Sequence, residues 1–128
     1  MSGHIQFVTA LLCEDVRDEV GEKTSLMGVH PPILGFSEFP ARQPTQIVLI
    51  GNATSAGLAK LKAELSFRDD PKWGVELTME VSGVGQGVLV PLRPTVAVFD
   101  QAGVLALHIV QNEERVLLQQ WSIELDDD

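Results

Sequence analysis

Apolar and polar side chains alternate with a period of two in several separate segments, the signature of strands whose successive side chains point to opposite faces of a sheet. The clearest run sets Leu61, Ala63, Leu65 and Phe67 against Lys60, Lys62, Glu64 and Ser66. A helix is the rival, because Ala, Leu, Lys and Glu favour helices and Leu58, Leu61 and Leu65 also match helical spacing. The stretch ends, however, at the turn signal Asp69-Asp70-Pro71-Lys72-Trp73-Gly74. A second run then sets Val75, Leu77, Met79 and Val81 against Glu76, Thr78, Glu80 and Ser82. Two matched runs around a Pro/Gly turn predict a hairpin.

The C-terminal third repeats the form. Val96, Val98 and Phe99 lead through Asp100-Gln101-Ala102-Gly103 to Leu105, Leu107 and Ile109. After Asn112-Glu113-Glu114, Leu117, Trp121, Ile123 and Leu125 alternate with Gln120, Ser122 and Glu124, which predicts three consecutive strands with Trp121 facing the core. At the other end, residues 4–13 and 24–30 read as a hairpin across a charged connection. Ile47 to Ile50 are apolar without alternation, as in a strand covered on both faces, and residues 5–12 and 104–110 read the same way. About eight strands without crossover helices predict an all-β fold, an antiparallel two-sheet β-sandwich, with a small β-barrel as the alternative. Residues 1–125 form one domain, followed by the acidic tail Asp126-Asp127-Asp128.

Composition narrows the function. A chain of 128 residues, 45% hydrophobic, can bury a core without staples. Lys+Arg 9 against Asp+Glu 18 leaves a net charge of −9, which repels phosphate backbones and anionic lipid, so neither nucleic acid nor a membrane is an expected partner. Five of the acids fall in residues 14–22 and three in the tail, which leaves the sheet faces nearly neutral. Cys13 is the single cysteine, and the first residues lack a basic stretch before an apolar one, so the expected compartment is the cytoplasm.

Candidate chemistry is sparse. Residues 14–23 hold Glu14, Asp15, Arg17 and Lys23 in what reads as one turn, without the Asp-x-Asp-x-Asp-Gly order of a calcium loop. Pairing of Glu14 or Asp15 with Arg17 or Lys23 to fix that turn is the expected role. Ser82-Gly83-Val84-Gly85-Gln86-Gly87 reads as a flexible connection, since Val88-Leu89-Val90-Pro91 does not open a helix as a dinucleotide fingerprint requires. His4, His30, His108 and Cys13 show no paired ligand spacing. No catalytic residue, cofactor or metal is therefore expected. Residues 30–44 are a long apolar connection in which Ile33, Leu34, Phe36 and Phe39 either cap the core or dock a partner.

The opening segment, Ala10-Leu11-Leu12-Cys13-Glu14-Asp15-Val16-Arg17 and then Gly21-Glu22-Lys23-Thr24-Ser25-Leu26-Met27-Gly28-Val29, resembles the start of a family of small bacterial proteins of unassigned function. The resemblance extends more weakly through Pro40, Pro44 and Asp69-Asp70-Pro71 to Phe99 and Gly103, and implies a bacterial cytoplasmic domain. The expected function is a non-enzymatic protein–protein interaction module that self-associates as a homodimer. Two alternatives are a small-molecule or carbohydrate-binding β domain, with Trp73 as the candidate platform, and a component of a phage or secretion-type assembly.

Overall fold

In the computed structural model, which describes residues 3–21, 23–43, 45–94 and 98–126, the alternation at residues 60–67 resolves as strand. β6 (Gly57–Phe67) buries Ala59, Leu61, Ala63, Leu65 and Phe67 and turns Lys60 and Lys62 to solvent. β7 (Asp70–Val81) returns antiparallel after the two-residue turn Arg68-Asp69, whose φ angles of 54° and 65° suit the right-handed twist of a hairpin. The turn thus lies ahead of Pro71 to Gly74, which belong to β7. Proline is tolerated there because β7 is an edge strand, where a missing N–H leaves no ladder bond unmade.

The remaining strands are β1 (His4–Glu19), β2 (Lys23–Val29), β3 (Ile33–Phe36), β4 (Ala41–Arg42), β5 (Gln46–Ser55), β8 (Gly87–Leu92), β9 (Val98–Phe99), β10 (Gly103–Gln111) and β11 (Glu114–Leu125). They form a two-sheet β-sandwich, not a closed barrel. One sheet has the order β2-β1-β5-β8, the other β3-β11-β10-β6-β7, and β4 pairs with β9 alone. Eight of the strands are six residues or longer, and the pairings are antiparallel except that of β3 with β11. Among the described residues no helix is long and apolar enough to cross a membrane.

Several expected boundaries move. β8 follows the glycine-rich connection and had no place in the sequence pattern, because Pro91 masks it; it too is an edge strand. Residues 98–99 pair with β4 instead of joining β10, so only β10 and β11 make the expected C-terminal hairpin, and Val96 lies outside the described residues. The long connection contains β3 and β4, while Pro44 within it is not among the described residues. Residues 14–19 continue β1 and pair with β2, so the charged segment is strand, with its turn at Val20-Gly21. Four of its acids therefore lie on a two-stranded arm that runs past β5, whose first partner on β1 is Cys13; Glu22 lies outside the described residues. Asp126 follows β11, its N–H donating to the Phe36 carbonyl at 2.7 Å, and Asp127 and Asp128 are outside the described residues.

The core lies between the sheets, with Ile5, Leu12, Ile47, Leu49, Leu65, Leu105, Leu107, Phe99, Trp121 and Ile123 buried. β5 is covered on both faces as expected, because Val48 and Ile50 pack with Cys13, Val16 and Leu26 in a second cluster. β10 instead alternates buried and half-buried residues. β1 likewise alternates, until a register shift between Phe7 and Thr9 leaves Val8 67% exposed.

Candidate functional site

The long connection resolves into a cap. Leu34 is buried, and Phe36 and Phe39 pack against the core. Their ring centroids are 6.3 Å apart, and Phe36 continues to Phe99 at 6.5 Å and Phe99 to Phe67 at 5.2 Å. Aromatic pairs at these separations gain beyond simple burial, which holds the connection down. Of the four residues expected either to cap the core or to dock a partner, only Ile33 presents most of its side chain to solvent.

On the β1–β2 arm, Arg17 Nε donates to Asp15 Oδ2 at 2.8 Å across two positions of one strand face. That hydrogen bond holds the Asp15 carboxyl below its usual range and raises the Arg17 guanidinium. Glu14 lies across from Gly28, whose φ of 64° and missing side chain make room for it: a Cβ there would stand 2.8 Å from the Glu14 carboxyl carbon. Lys23 faces Glu19 in register. Cys13 is buried, and burial raises its thiol pKa, which leaves it protonated and unreactive. Among the described residues no three His, Cys, Asp or Glu side chains converge on a point.

Two other places have the geometry of sites. The first is the free edge of β11. β3 pairs only with Ser122 to Leu125, so among the described residues no strand pairs with Glu114 to Gln120 on the side away from β10. A register shift opposite Leu107 and His108 inserts Leu118 as an extra residue. A bulge of this kind flips the faces on either side of it. Trp121 therefore points into the core while Leu117, which simple alternation puts beside it, points out and is 47% exposed. Val116 is equally exposed. With Leu118 and Phe7 it lines a cleft of about 330 Å³ between the two layers.

The second is a trough on the outer face of the five-stranded sheet. Gly74, Glu64, His108 and Leu117 form one row across β7, β6, β10 and β11. Gly74 leaves the row open at one end, and Ser66 adds a small floor residue, so a cavity of about 520 Å³ forms. Lys62, Lys72 and Arg115 stand around it, with Trp73 in its wall. Trp73 is a half-buried β7 residue opposite Leu65, not part of a turn. Arg115 Nε lies 3.8 Å from Glu64 Oε2, too far for a hydrogen bond. His108 Nδ1 is buried without a partner among the described residues. Period-two reading put Lys62 and Glu64 on one face of their strand, but the convergence with His108, Arg115 and Lys72 depends on pairing between strands.

Burial, followed by the Arg115 charge, holds the His108 imidazole below its ordinary pKa, against a smaller opposite pull from Glu64. The unfolded chain then takes up this proton first as pH falls through about 6.5, so the native state loses stability on the acid side of that point. In urea melts the stability of wild type relative to His108→Gln is expected to fall as pH drops from about 7.5 to about 5.5, because only the wild type carries this penalty. A gap between the two midpoints that stays constant across the range is the contrary result.

The chain was compared with protein-family models and with curated proteins, and it matches none of them.

Proposed function

We propose that this protein is a non-enzymatic interaction module that self-associates through the free edge of β11. The observation that carries the reading is the uncharged segment Val116 to Gln120, with Val116, Leu117 and Gln120 exposed, on a strand edge without a partner strand among the described residues. Natural sheets protect their edges with charge, proline or shortness. Two other edges here do so: β7 carries Asp70, Pro71, Glu76 and Glu80, and β8 is six residues with Pro91. On β2 only Lys23 is charged, but the strand beside it, β1, carries Glu14, Asp15, Asp18 and Glu19, so a second copy meets acidic side chains there. The β11 edge has its only charges at Glu114 and Arg115.

A second copy fits this edge better than an unrelated strand does. Antiparallel pairing about Leu117 sets Val116 against Leu118, Arg115 against Gln119 and Glu114 against Gln120. No like charges oppose each other, and one continuous sheet results. Each chain carries a net charge of −9, so close approach is least costly where the surface is neutral. Light scattering on a sizing column is expected to give twice the chain mass of 13.9 kDa at high micromolar concentration. Leu117→Lys, at an exposed position, should return the monomer mass with an unchanged circular dichroism spectrum. A monomeric wild type at that concentration, or a variant as dimeric as wild type, refutes the reading.

A further inference from the structure

We propose that the trough on the outer face of the five-stranded sheet binds a small organic molecule carrying a carboxylate or phosphate group. The chain as a whole has twice as many acids as bases, yet Lys62, Lys72 and Arg115 surround this cavity against Glu64 and Asp69. None of the three cations spends its donors inside the protein. Lys62 makes no ion pair or hydrogen bond among the described residues. Lys72 stands 3.9 Å from Asp70 and Arg115 3.8 Å from Glu64, both beyond hydrogen-bond length. Lysine ammonium and the planar guanidinium fork are the groups that bind oxyanions best, and here three of them converge on one cavity, two at ion-pair distance from a carboxylate but without a hydrogen bond to it.

The body of the ligand follows from the volume and the wall. A cavity of about 520 Å³ lies within the usual range for organic ligands and exceeds what a bare oxyanion fills. Pro71 supplies an apolar side for the remainder, and Trp73 beside it packs its ring against the core. A second depression of about 610 Å³ adjoins it and shares Ser66, Asp69 and His108, so a longer molecule can continue across the sheet. Glu64, in the floor, opposes the anion and accepts from a hydroxyl or ammonium group, which favours a ligand carrying both an oxyanion and a donor.

Phenyl phosphate and inorganic phosphate are suitable probes, followed by nuclear magnetic resonance at the Gly74 amide and the Trp73 indole N–H. Phenyl phosphate is expected to move both signals saturably, inorganic phosphate more weakly, and sodium chloride of matched ionic strength not at all. Lys62→Gln and Arg115→Gln should each weaken binding about tenfold, the loss of one charge-assisted contact. Glu64→Gln should tighten it, a sign that a purely structural role for this cluster does not produce. Lys62 and Glu64 lie on β6, away from the β11 edge, so these variants test the trough whatever the oligomeric state. Shifts that never saturate, that chloride reproduces, or that persist unchanged in both cation variants overturn the proposal.

Discussion

Replacing Trp121 with Ala is expected to cost about 3 to 5 kcal/mol, the range for truncating a fully buried aromatic side chain. Trp121 is 2% exposed and stands opposite Leu105 on β10, in the middle of the core. Truncation removes its transfer free energy and also leaves a cavity, because strands on both sides are pinned by their ladders and relax little. The measurement is the urea midpoint at unchanged slope. If the Ala variant does not fold, Trp121→Phe still reports, since an aromatic of smaller volume should retain more than half of the lost stability. A loss below about 1 kcal/mol for the Ala variant contradicts the register of β11.

Trp121 also shows what alternation could and could not reveal. The fold class and the alternating parts of two strands, residues 60–67 and 75–81, were readable because each buries one face, so period two is imposed by the core itself. The inward placement of Trp121 followed from the same rule. Leu117 did not, because the extra residue at Leu118 reverses the faces between them, and nothing about a Leu-Leu pair announces a bulge. The turn at Arg68-Asp69 was hidden for a related reason: neither residue is the Asn or Gly that usually occupies positive φ in such hairpins. β8 was hidden by Pro91 and β3 by its shortness, since four residues cannot display a period. For the candidate sites, the trough needs Arg115 and Glu64 to meet, and that contact spans β11 and β6 through β10. Strand order, which no local pattern encodes, decides it.

Replacing Gln111 with Ala is expected to cost about 2 to 5 kcal/mol, more than its modest apolar volume explains, because two backbone groups lose their partners at about 1 to 3 kcal/mol each. Gln111 ends β10 and is buried, and its side-chain amide acts as a short strand toward β1. The Ile5 N–H donates to Oε1 at 2.9 Å, and Nε2 donates to the Ile5 carbonyl at 2.8 Å. A single amide thus ties the two sheets together at a point where no ladder joins them. Hydrogen exchange at the Ile5 amide is expected to be slow in the wild type and to accelerate in Gln111→Ala together with the fall in stability.

Gln111→Glu refines the test. A carboxylate can accept from the Ile5 N–H but faces the Ile5 carbonyl with a second acceptor, which disfavours its charged form and raises its folded pKa. Stability contributed by a raised pKa is present at low pH and disappears as pH rises through the folded value, so this variant should approach the wild type as pH falls. A loss below about 1 kcal/mol in Gln111→Ala, with Ile5 still protected, would show that another group satisfies this edge. The clip also bears on where self-association is placed. At Ile5 the free edge of β1 is already closed from within the molecule by a buried amide, whereas on the β11 edge from Val116 to Gln120 the Gln120 N–H donates to the side-chain oxygen of its own neighbour Gln119 at 3.0 Å in an exposed bond. A strand from a second copy therefore displaces an exposed local bond on β11, while on β1 it would have to displace a buried amide that is fully satisfied.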